Sequence, residues 1–186
     1  DRIVPPGDVL DPFAGIGLIH QLETPLRRIT GVEIEPEWAA CHPNTLVGDA
    51  LHLPDCLVGR FTSIVTSPCY GNRFADHHNA TDPSERRSYT HDLRTMTGDP
   101  KRKLHPNNSG TLHFGPAYID FHRRAWAECA RVLMPRGWIF LNVSDFIRRK
   151  RRVPVVATHR GLLKRAGFEI VGQVEVETPR MRTRTS

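Results

Sequence analysis

The 186-residue sequence has no long apolar run and no basic-then-apolar leader. A helix that crosses a bilayer needs about 20 mostly apolar residues, and an export signal needs a charged start followed by an apolar stretch. We therefore expect no membrane-spanning helix and a cytoplasmic location. The chain also begins at Asp1 rather than at Met, almost directly on a predicted strand. This start leads us to expect a trimmed fragment or an excised domain.

Cysteine is scarce and scattered. The four residues Cys41, Cys56, Cys69 and Cys129 form no CxxC pair, and no ligands at zinc-site spacing surround the histidine pair at 77–78. Secreted disulfide scaffolds and structural zinc sites both need closely spaced ligands. The pattern favours a reduced protein and predicts no bound metal.

Acidic residues are outnumbered by basic ones. The sequence has 26 Lys and Arg against 20 Asp and Glu, a formal net charge of +6. The excess is concentrated at 148–152, which reads Arg-Arg-Lys-Arg-Arg, and at Arg180, Arg182 and Arg184. Basic clusters attract polyanions through phosphate contacts. An exposed basic loop is equally a solvated surface, so this feature favours nucleic acid only in combination with others.

Short apolar runs alternate with helical stretches, which predicts a single α/β domain with a mostly parallel sheet. We expect strands over residues 8–11, 28–33, 45–48, 62–66, 138–143 and 168–176. We expect helices from the turn at 12–17 to about residue 23, from Pro36, over 117–133 and over 155–166. Residues 71–116 lack periodicity and form an insert longer than an ordinary connector. Such inserts are usually functional or disordered.

Polar side chains follow five predicted strands: Asp11, Glu33, Asp49, Ser67 and Asn142. In open parallel sheets, ligands bind beyond the carboxyl ends of the strands. A carboxylate at Glu33 suits the two hydroxyls of a ribose, and one at Asp49 suits an adenine amino group. The turn after Asp11 contains glycines that permit close approach of a ligand, although it lacks the full GxGxxG pattern. Together these residues predict an adenosine site.

The tetrapeptide Ser67-Pro68-Cys69-Tyr70 follows the fourth predicted strand. Its hydroxyl or carbonyl groups are suited to accept hydrogen bonds from a base amino group. An aromatic ring provides a stacking face for a base extruded from its helix. The same residues also suit a proline turn with Tyr70 buried in the core. The tetrapeptide alone leaves both interpretations open.

In order and spacing, these segments resemble the motifs of amino-methylating DNA methyltransferases of the class I Rossmann-like fold, and are similar to small phage and actinobacterial DNA methylases. Residues 11–17 resemble cofactor motif I, 31–35 motif II and 48–50 motif III. Residues 66–70 resemble catalytic motif IV, whose family form is Asp, Asn or Ser, then Pro-Pro, then an aromatic residue. The similarity extends over nearly the whole chain.

The resemblance implies S-adenosylmethionine as cofactor and double-stranded DNA as partner, in a bacterial or phage-infected cell, as in restriction-modification. The implied cofactor residues are Asp11, Phe13, Ala14, Gly15, Gly17, Glu33, Ile34, Asp49 and Ala50. The implied catalytic residues are Ser67, Pro68, Cys69 and Tyr70, with Tyr70 stacking on the flipped base. We expect nucleic-acid contacts at Asn72, Arg73, Arg148, Arg149, Lys150, Arg151 and Arg152. A serine-first motif IV favours N4-cytosine over N6-adenine.

The chain departs from the family at three points. Cys69 replaces the second proline of motif IV, the family's motif X is not evident, and the final strand expected after residues 178–180 is missing. Cys69 also suits a cytosine-C5 methyltransferase, whose nucleophile is a thiolate, but the strand carrying Asn142 lacks the glutamate of that class. An RNA amino-methyltransferase and a non-catalytic nucleic-acid-binding module are further alternatives. The intact strand-end carboxylates favour retained catalysis.

Overall fold

A five-stranded parallel sheet forms the centre of the computed structural model, which describes residues 4–71 and 89–176. The strand order is β3-β2-β1-β4-β5. The strands are β1 Gly7–Asp11, β2 Arg27–Glu33, β3 Thr45–Val47, β4 Phe61–Thr66 and β5 Leu133–Leu141. The predicted α/β fold with a mostly parallel sheet is confirmed.

Helices pack against this sheet through apolar positions. The described ranges contain α1 Pro36–Ala39, α2 Tyr89–Thr97, α3 Pro116–Val132 and α4 Val155–Arg165. Trp126 of α3 and Leu162 of α4 join Leu10 of β1 and Ile64 of β4 in one core cluster. Burying a large apolar side chain stabilises the fold by about 1.5–3 kcal/mol. The core therefore fixes the central strands, and with them the loops at their carboxyl ends.

Gly31 allows the turn after β1 to pack closely on β2. A Cβ atom at this position would lie 2.8 Å from the Cβ of Ala14 and 2.6 Å from the Oγ1 of Thr45. The close packing accompanies a hydrogen bond of 3.0 Å from the Ala14 amide to the Val32 carbonyl. A larger side chain here would push the β1 turn away from the end of β2.

The first predicted helix is wrong in type and length, because residues Leu18–Leu22 form a 3-10 helix. Gly17 has φ of 84°, a left-handed conformation that places it outside a helix. Pro25 disfavours helical backbone at the preceding Thr24. Only a short helical turn fits between these two residues.

The strand predicted over residues 168–176 is also wrong. These residues form no strand, and within the described ranges the sheet ends at β5. Val171, Val174 and Val176 are 69–80% exposed. An alternating apolar pattern becomes a strand only when a neighbouring strand supplies its hydrogen bonds and a core covers one face.

A helix and a hairpin of two strands were missed by the sequence interpretation. Helix α2 lies inside the insert, which was expected to be irregular. Leu93 is the one buried residue among its described side chains. The sequence therefore shows no apolar periodicity from which this helix could have been predicted. The basic run at 148–152 belongs to an antiparallel hairpin of β6 Phe146–Arg148 and β7 Arg151–Val153, not to an open loop. Strand β5 also begins at Leu133, five residues before the predicted start.

Across 4–71 and 89–176, no helix has both the length and the apolar character that a membrane crossing requires.

Candidate active site at the carboxyl ends of the strands

Asp11 joins the ends of β1 and β4, the two strands between which the sheet order reverses. The hydroxyl of Thr66 donates a hydrogen bond of 2.7 Å to Asp11 Oδ1, and the Phe13 amide donates one of 3.0 Å to the same oxygen. Burial raises the pKa of Asp11 to about 6. The turn after β1 and the loop after β4 therefore lie side by side at the position where open parallel sheets bind ligands.

Glu33 fixes the same turn from the end of β2. Its Oε2 accepts a hydrogen bond of 2.8 Å from the Gly15 amide, and its Oε1 accepts one of 2.9 Å from the Glu35 amide. Burial raises the pKa of the Glu33 carboxyl, and these backbone donors lower it in part. The carboxylate predicted to bind a ligand hydroxyl pair is thus also a structural support of the glycine turn.

The backbone at Gly15 is open on its side-chain face. Gly15 has φ of +55°, and a Cβ there would meet no atom within 4 Å. This geometry leaves room for close approach of a ligand to the backbone. Phe13 instead turns towards α3, with ring centroids 6.2 Å from Phe121 and 6.0 Å from Trp126. Its main contacts are with the core.

Asp49 lies two residues after β3, with Ala50 buried beside it. Its Oδ1 accepts a hydrogen bond of 2.9 Å from the Leu51 amide. Its Oδ2 accepts one of 3.1 Å from the side-chain amide of Asn107. Asn107 belongs to the insert, so sequence reasoning did not connect it with this strand end. Ile34, the remaining predicted cofactor residue, is half-buried directly after Glu33.

The loop Ser67–Tyr70 is held from several sides. Ser67 is exposed, and its hydroxyl lies 3.1 Å from the hydroxyl of Tyr70. Pro68 is buried, whereas Tyr70 is half-buried and is therefore not a core residue. The pKa of the Cys69 thiol is raised to about 11, mainly by burial and also by the Glu33 carboxylate, although a hydrogen bond with Ser109 partly offsets this rise.

Behind this loop lies a buried hydrogen-bond network that the sequence did not reveal. Trp126 donates to His159 Nδ1 at 3.1 Å, and because an indole nitrogen is only a donor, this imidazole nitrogen accepts. His159 Nε2 therefore carries the proton and donates to the Tyr118 hydroxyl at 2.7 Å. The Tyr118 hydroxyl in turn donates to the Cys69 carbonyl at 3.0 Å. Helices α3 and α4 thus support the backbone of the Ser67–Tyr70 loop.

Residues 102–111, which we call the strap, pack over the ends of β2 and β3. Arg102 forms ion pairs with Glu35 at 3.1 Å and with Glu37 at 2.8 Å. The strap lies within the insert, whose two ends are joined by a hydrogen bond of 2.8 Å from the Phe114 amide to the Gly71 carbonyl. No sequence signal placed this segment beside the strand ends.

The basic hairpin lies next to the end of the insert. Arg148 Nη1 donates to His113 Nδ1 at 3.4 Å, and Arg152 forms an ion pair of 2.7 Å with Asp145. Arg149 and Lys150 form the turn, and all five basic residues of 148–152 are exposed. The predicted contacts Asn72 and Arg73 lie outside the described residues.

Comparisons with known proteins agree with this fold. No protein-family model matches the chain, and no curated protein does. The chain is similar to the (4+2)-cyclase SpnF, at 15% identity and a TM-score of 0.52, over 92% of this chain and 55% of the cyclase. It is also similar to a TehB-like SAM-dependent methyltransferase from Corynebacterium glutamicum, at 16% identity and a TM-score of 0.47, over 89% and 68% of the two chains. A further similar structure is the antibiotic-resistance methyltransferase Kmr, at 17% identity and a TM-score of 0.48, over 92% and 82%.

The chain therefore spans about half the length of the cyclase that it matches. At these identities the likeness concerns the fold. The likeness to the cyclase, together with the strand order, confirms the Rossmann-like fold expected from the sequence.

Proposed function

We propose that this chain is the catalytic domain of an S-adenosylmethionine-dependent methyltransferase that modifies an exocyclic amino group of a DNA base, with N4-cytosine favoured over N6-adenine. The hydrogen bond of 2.7 Å between Thr66 and Asp11 carries this proposal. It joins the turn that resembles cofactor motif I to the loop that resembles catalytic motif IV. A methyl donor and its acceptor must meet at such a junction.

The residues at the strand ends fit this cofactor. Gly15 allows close backbone approach, and Glu33 is a carboxylate that accepts from the Gly15, Glu35 and Ile34 amides and keeps acceptor capacity for a ligand hydroxyl. We assign Glu33 to the ribose hydroxyls and Asp49 to the adenine amino group. When bound, S-adenosylmethionine supplies an electrophilic methyl group.

The chain's own contribution to the reaction would be positioning and acceptance of hydrogen bonds. In this proposal, Ser67 and the Pro68 carbonyl accept the hydrogens of the target amino group and aim its lone pair. Tyr70 stacks on the flipped base, and its hydroxyl contact with Ser67 sets the orientation of both side chains. The Tyr118 hydroxyl fixes the Cys69 carbonyl in the same loop.

The cytosine-C5 alternative requires Cys69 to become a thiolate nucleophile. Reactive cysteines lie in electropositive surroundings that lower the thiol pKa. Cys69 has the opposite environment, because burial and the nearby Glu33 raise its pKa to about 11. This environment supports amino methylation over C5 methylation.

DNA would contact the exposed basic hairpin. Arg149 and Lys150 project from its turn, and Arg148 connects the hairpin to His113 at the end of the insert. The insert itself begins at Gly71, directly after the catalytic loop. Phosphate contacts at this hairpin would place a duplex next to the Ser67–Tyr70 loop.

Nucleoside mass analysis of the nucleic acid modified by the protein tests the reaction. Purified protein, S-adenosylmethionine and either duplex DNA or structured RNA should yield N4-methylcytosine in DNA. N6-methyladenine in DNA would change only the base. 5-Methylcytosine would support the C5 alternative, and a methylated amino group found only in RNA would replace DNA as substrate. No methylated nucleoside, together with retained nucleic-acid binding, would identify a binding module.

Calorimetry with S-adenosylhomocysteine tests the cofactor assignment. We expect Glu33→Ala to lose most of the binding, because two charge-assisted hydrogen bonds of about 1.5–3 kcal/mol each would disappear. Glu169→Ala removes an exposed carboxylate outside the site and should leave binding unchanged. Equal affinity in the folded Glu33→Ala protein and the parent would contradict the assignment.

A further inference from the structure

We propose that Asn107 is a specificity-determining residue of the cofactor site and that it acts through Asp49 to select a purine with an exocyclic amino group. This inference rests on the proposed function, because it concerns the same cofactor site. It assigns the strap, a part of the substrate-side insert, to recognition of the cofactor.

The strap is anchored by Glu35, a carboxylate with no exposed surface. Glu35 Oε1 accepts hydrogen bonds from the His105 amide at 2.7 Å and from the Asn108 side chain at 2.8 Å. Its Oε2 accepts one from Arg102 at 3.1 Å. A buried carboxylate with this set of donors holds the strap firmly against the end of β2.

The other side of the strap is equally well held. Ser109 is buried and forms a hydrogen bond with Cys69 of the catalytic loop. The Gly110 amide donates to the Asn108 side-chain oxygen at 2.9 Å. Asn107 therefore lies between fixed neighbours. Its backbone position is determined although its side chain is exposed.

At this position Asn107 controls the orientation of the Asp49 carboxylate. Its side-chain nitrogen donates to Asp49 Oδ2 at 3.1 Å, while the Leu51 amide donates to Oδ1 at 2.9 Å. One donor on each oxygen prevents rotation of the carboxylate and leaves acceptor capacity on both atoms. An ionised carboxylate only accepts hydrogen bonds, so it favours a 6-amino purine and repels a 6-oxo purine.

Calorimetry with two cofactor products tests this role. S-adenosylhomocysteine carries the 6-amino group, and S-inosylhomocysteine carries a 6-oxo group in its place. We expect the parent to prefer the adenosyl compound, and we expect Asn107→Ala and the nearly isosteric Asn107→Asp to reduce that preference about three- to tenfold. Asn44→Ala is a matched control, since Asn44 is also exposed and donates to a carboxylate, Glu23, at 3.3 Å.

The ratio of the two dissociation constants separates purine recognition from a general loss of structure. A merely structural defect lowers the affinity for both compounds alike and leaves their ratio unchanged. A reduced ratio in both Asn107 variants and an unchanged ratio in Asn44→Ala support the proposal. An unchanged ratio in folded Asn107 variants, or a parent without preference, overturns it and leaves the proposed function intact. A parent that binds neither compound overturns this inference together with the proposed cofactor.

Discussion

Cys69 is the residue at which the two DNA chemistries make opposite predictions. Its half-buried side chain forms a hydrogen bond with Ser109 and feels the charge of Glu33, and its carbonyl accepts a hydrogen bond from Tyr118. The side chain thus behaves as part of the pocket wall. An amino-directed reaction needs its backbone position, whereas a C5-directed reaction needs its sulfur.

We therefore expect Cys69→Ser to retain substantial methyl transfer to DNA. Tyr70→Ala should lose about 1–3 kcal/mol of base stacking, and Tyr70→Phe, which keeps the ring, is its matched control. Transfer of a labelled methyl group to a duplex that the parent methylates measures all three variants. An inactive Cys69→Ser protein that folds and binds cofactor normally would favour the thiolate mechanism instead.

At the residue scale, the positions predicted from the sequence are those marked by local patterns. Asp11, Glu33 and Ser67 each lie at or directly after the end of an apolar strand, and the structure brings them to one edge of the sheet. Asn107 could not be predicted, because its hydrogen-bond partner Asp49 lies 58 residues away in the chain. Such pairings depend on how the insert folds back, and no periodicity encodes that path.

The basic hairpin is the element in which local strain and proposed binding coincide. Arg149 and Lys150 have φ of 49° and 62°, left-handed values that cost residues other than glycine of order 1–3 kcal/mol each. Two-residue hairpin turns with this geometry favour Asn-Gly. Arginine and lysine at these positions are therefore unfavourable for the fold, and the proposed phosphate contacts would account for their presence.

The double variant Arg149→Asn/Lys150→Gly should stabilise the protein and weaken DNA binding. We expect urea unfolding to give a free energy higher by about 1–2 kcal/mol. The slope of log affinity against log salt should become shallower by about 2, one phosphate contact for each lost cation. Arg28→Ala/Arg60→Ala removes two exposed charges near the amino ends of β2 and β4 and serves as control. An unchanged salt slope would mean that Arg149 and Lys150 make no phosphate contacts and are only solvated surface residues.

Elements whose own residues carry an apolar pattern were predicted well. Elements that form only through contact with another part of the chain were not. Strands β1, β2 and β4 are short, apolar and buried, so their order along the chain already indicated a parallel sheet. Residues 168–176 also carry a strand-like pattern, with alternating apolar residues, but they lack a neighbouring strand within the described ranges. Helix α2 shows the converse, since Leu93 is the one buried residue among its described side chains and its sequence shows no apolar period.

At the scale of the whole molecule, the Ser67–Tyr70 loop and the helical layer share one buried polar network. His122 and His159 lie among Tyr118 and Trp126, and burial lowers their pKa values to about 3 and about 4. Both imidazoles are therefore neutral in the folded protein. Protonation of this network would disturb the packing of α3 on α4 and the support of the Cys69 carbonyl together.

His159 should make the folded protein sensitive to mild acid. Between pH 6.5 and 4 the unfolded chain binds a proton at this residue that the folded protein does not, because the pKa falls from 6.5 to about 4 on folding. Stability present above pH 6.5 is thus lost as the pH falls, by about 2 kcal/mol from this residue at pH 5. Burial raises the pKa of Asp11 to about 6, which gives an opposite slope between pH 3.8 and 6, so a difference between variants is the appropriate measurement.

Urea unfolding of the parent and of His159→Gln at pH 7.5, 6, 5 and 4.5 isolates the contribution of this histidine. We expect the variant to be the less stable protein at pH 7.5, since it loses the bonds to Tyr118 and Trp126, and the gap to narrow as the pH falls. Thr158→Ala removes a hydroxyl that does not titrate from the same helix, and its gap to the parent should stay constant. If the curves of His159→Gln and the parent run parallel throughout this range, His159 is not the neutral buried group on which the loop support depends.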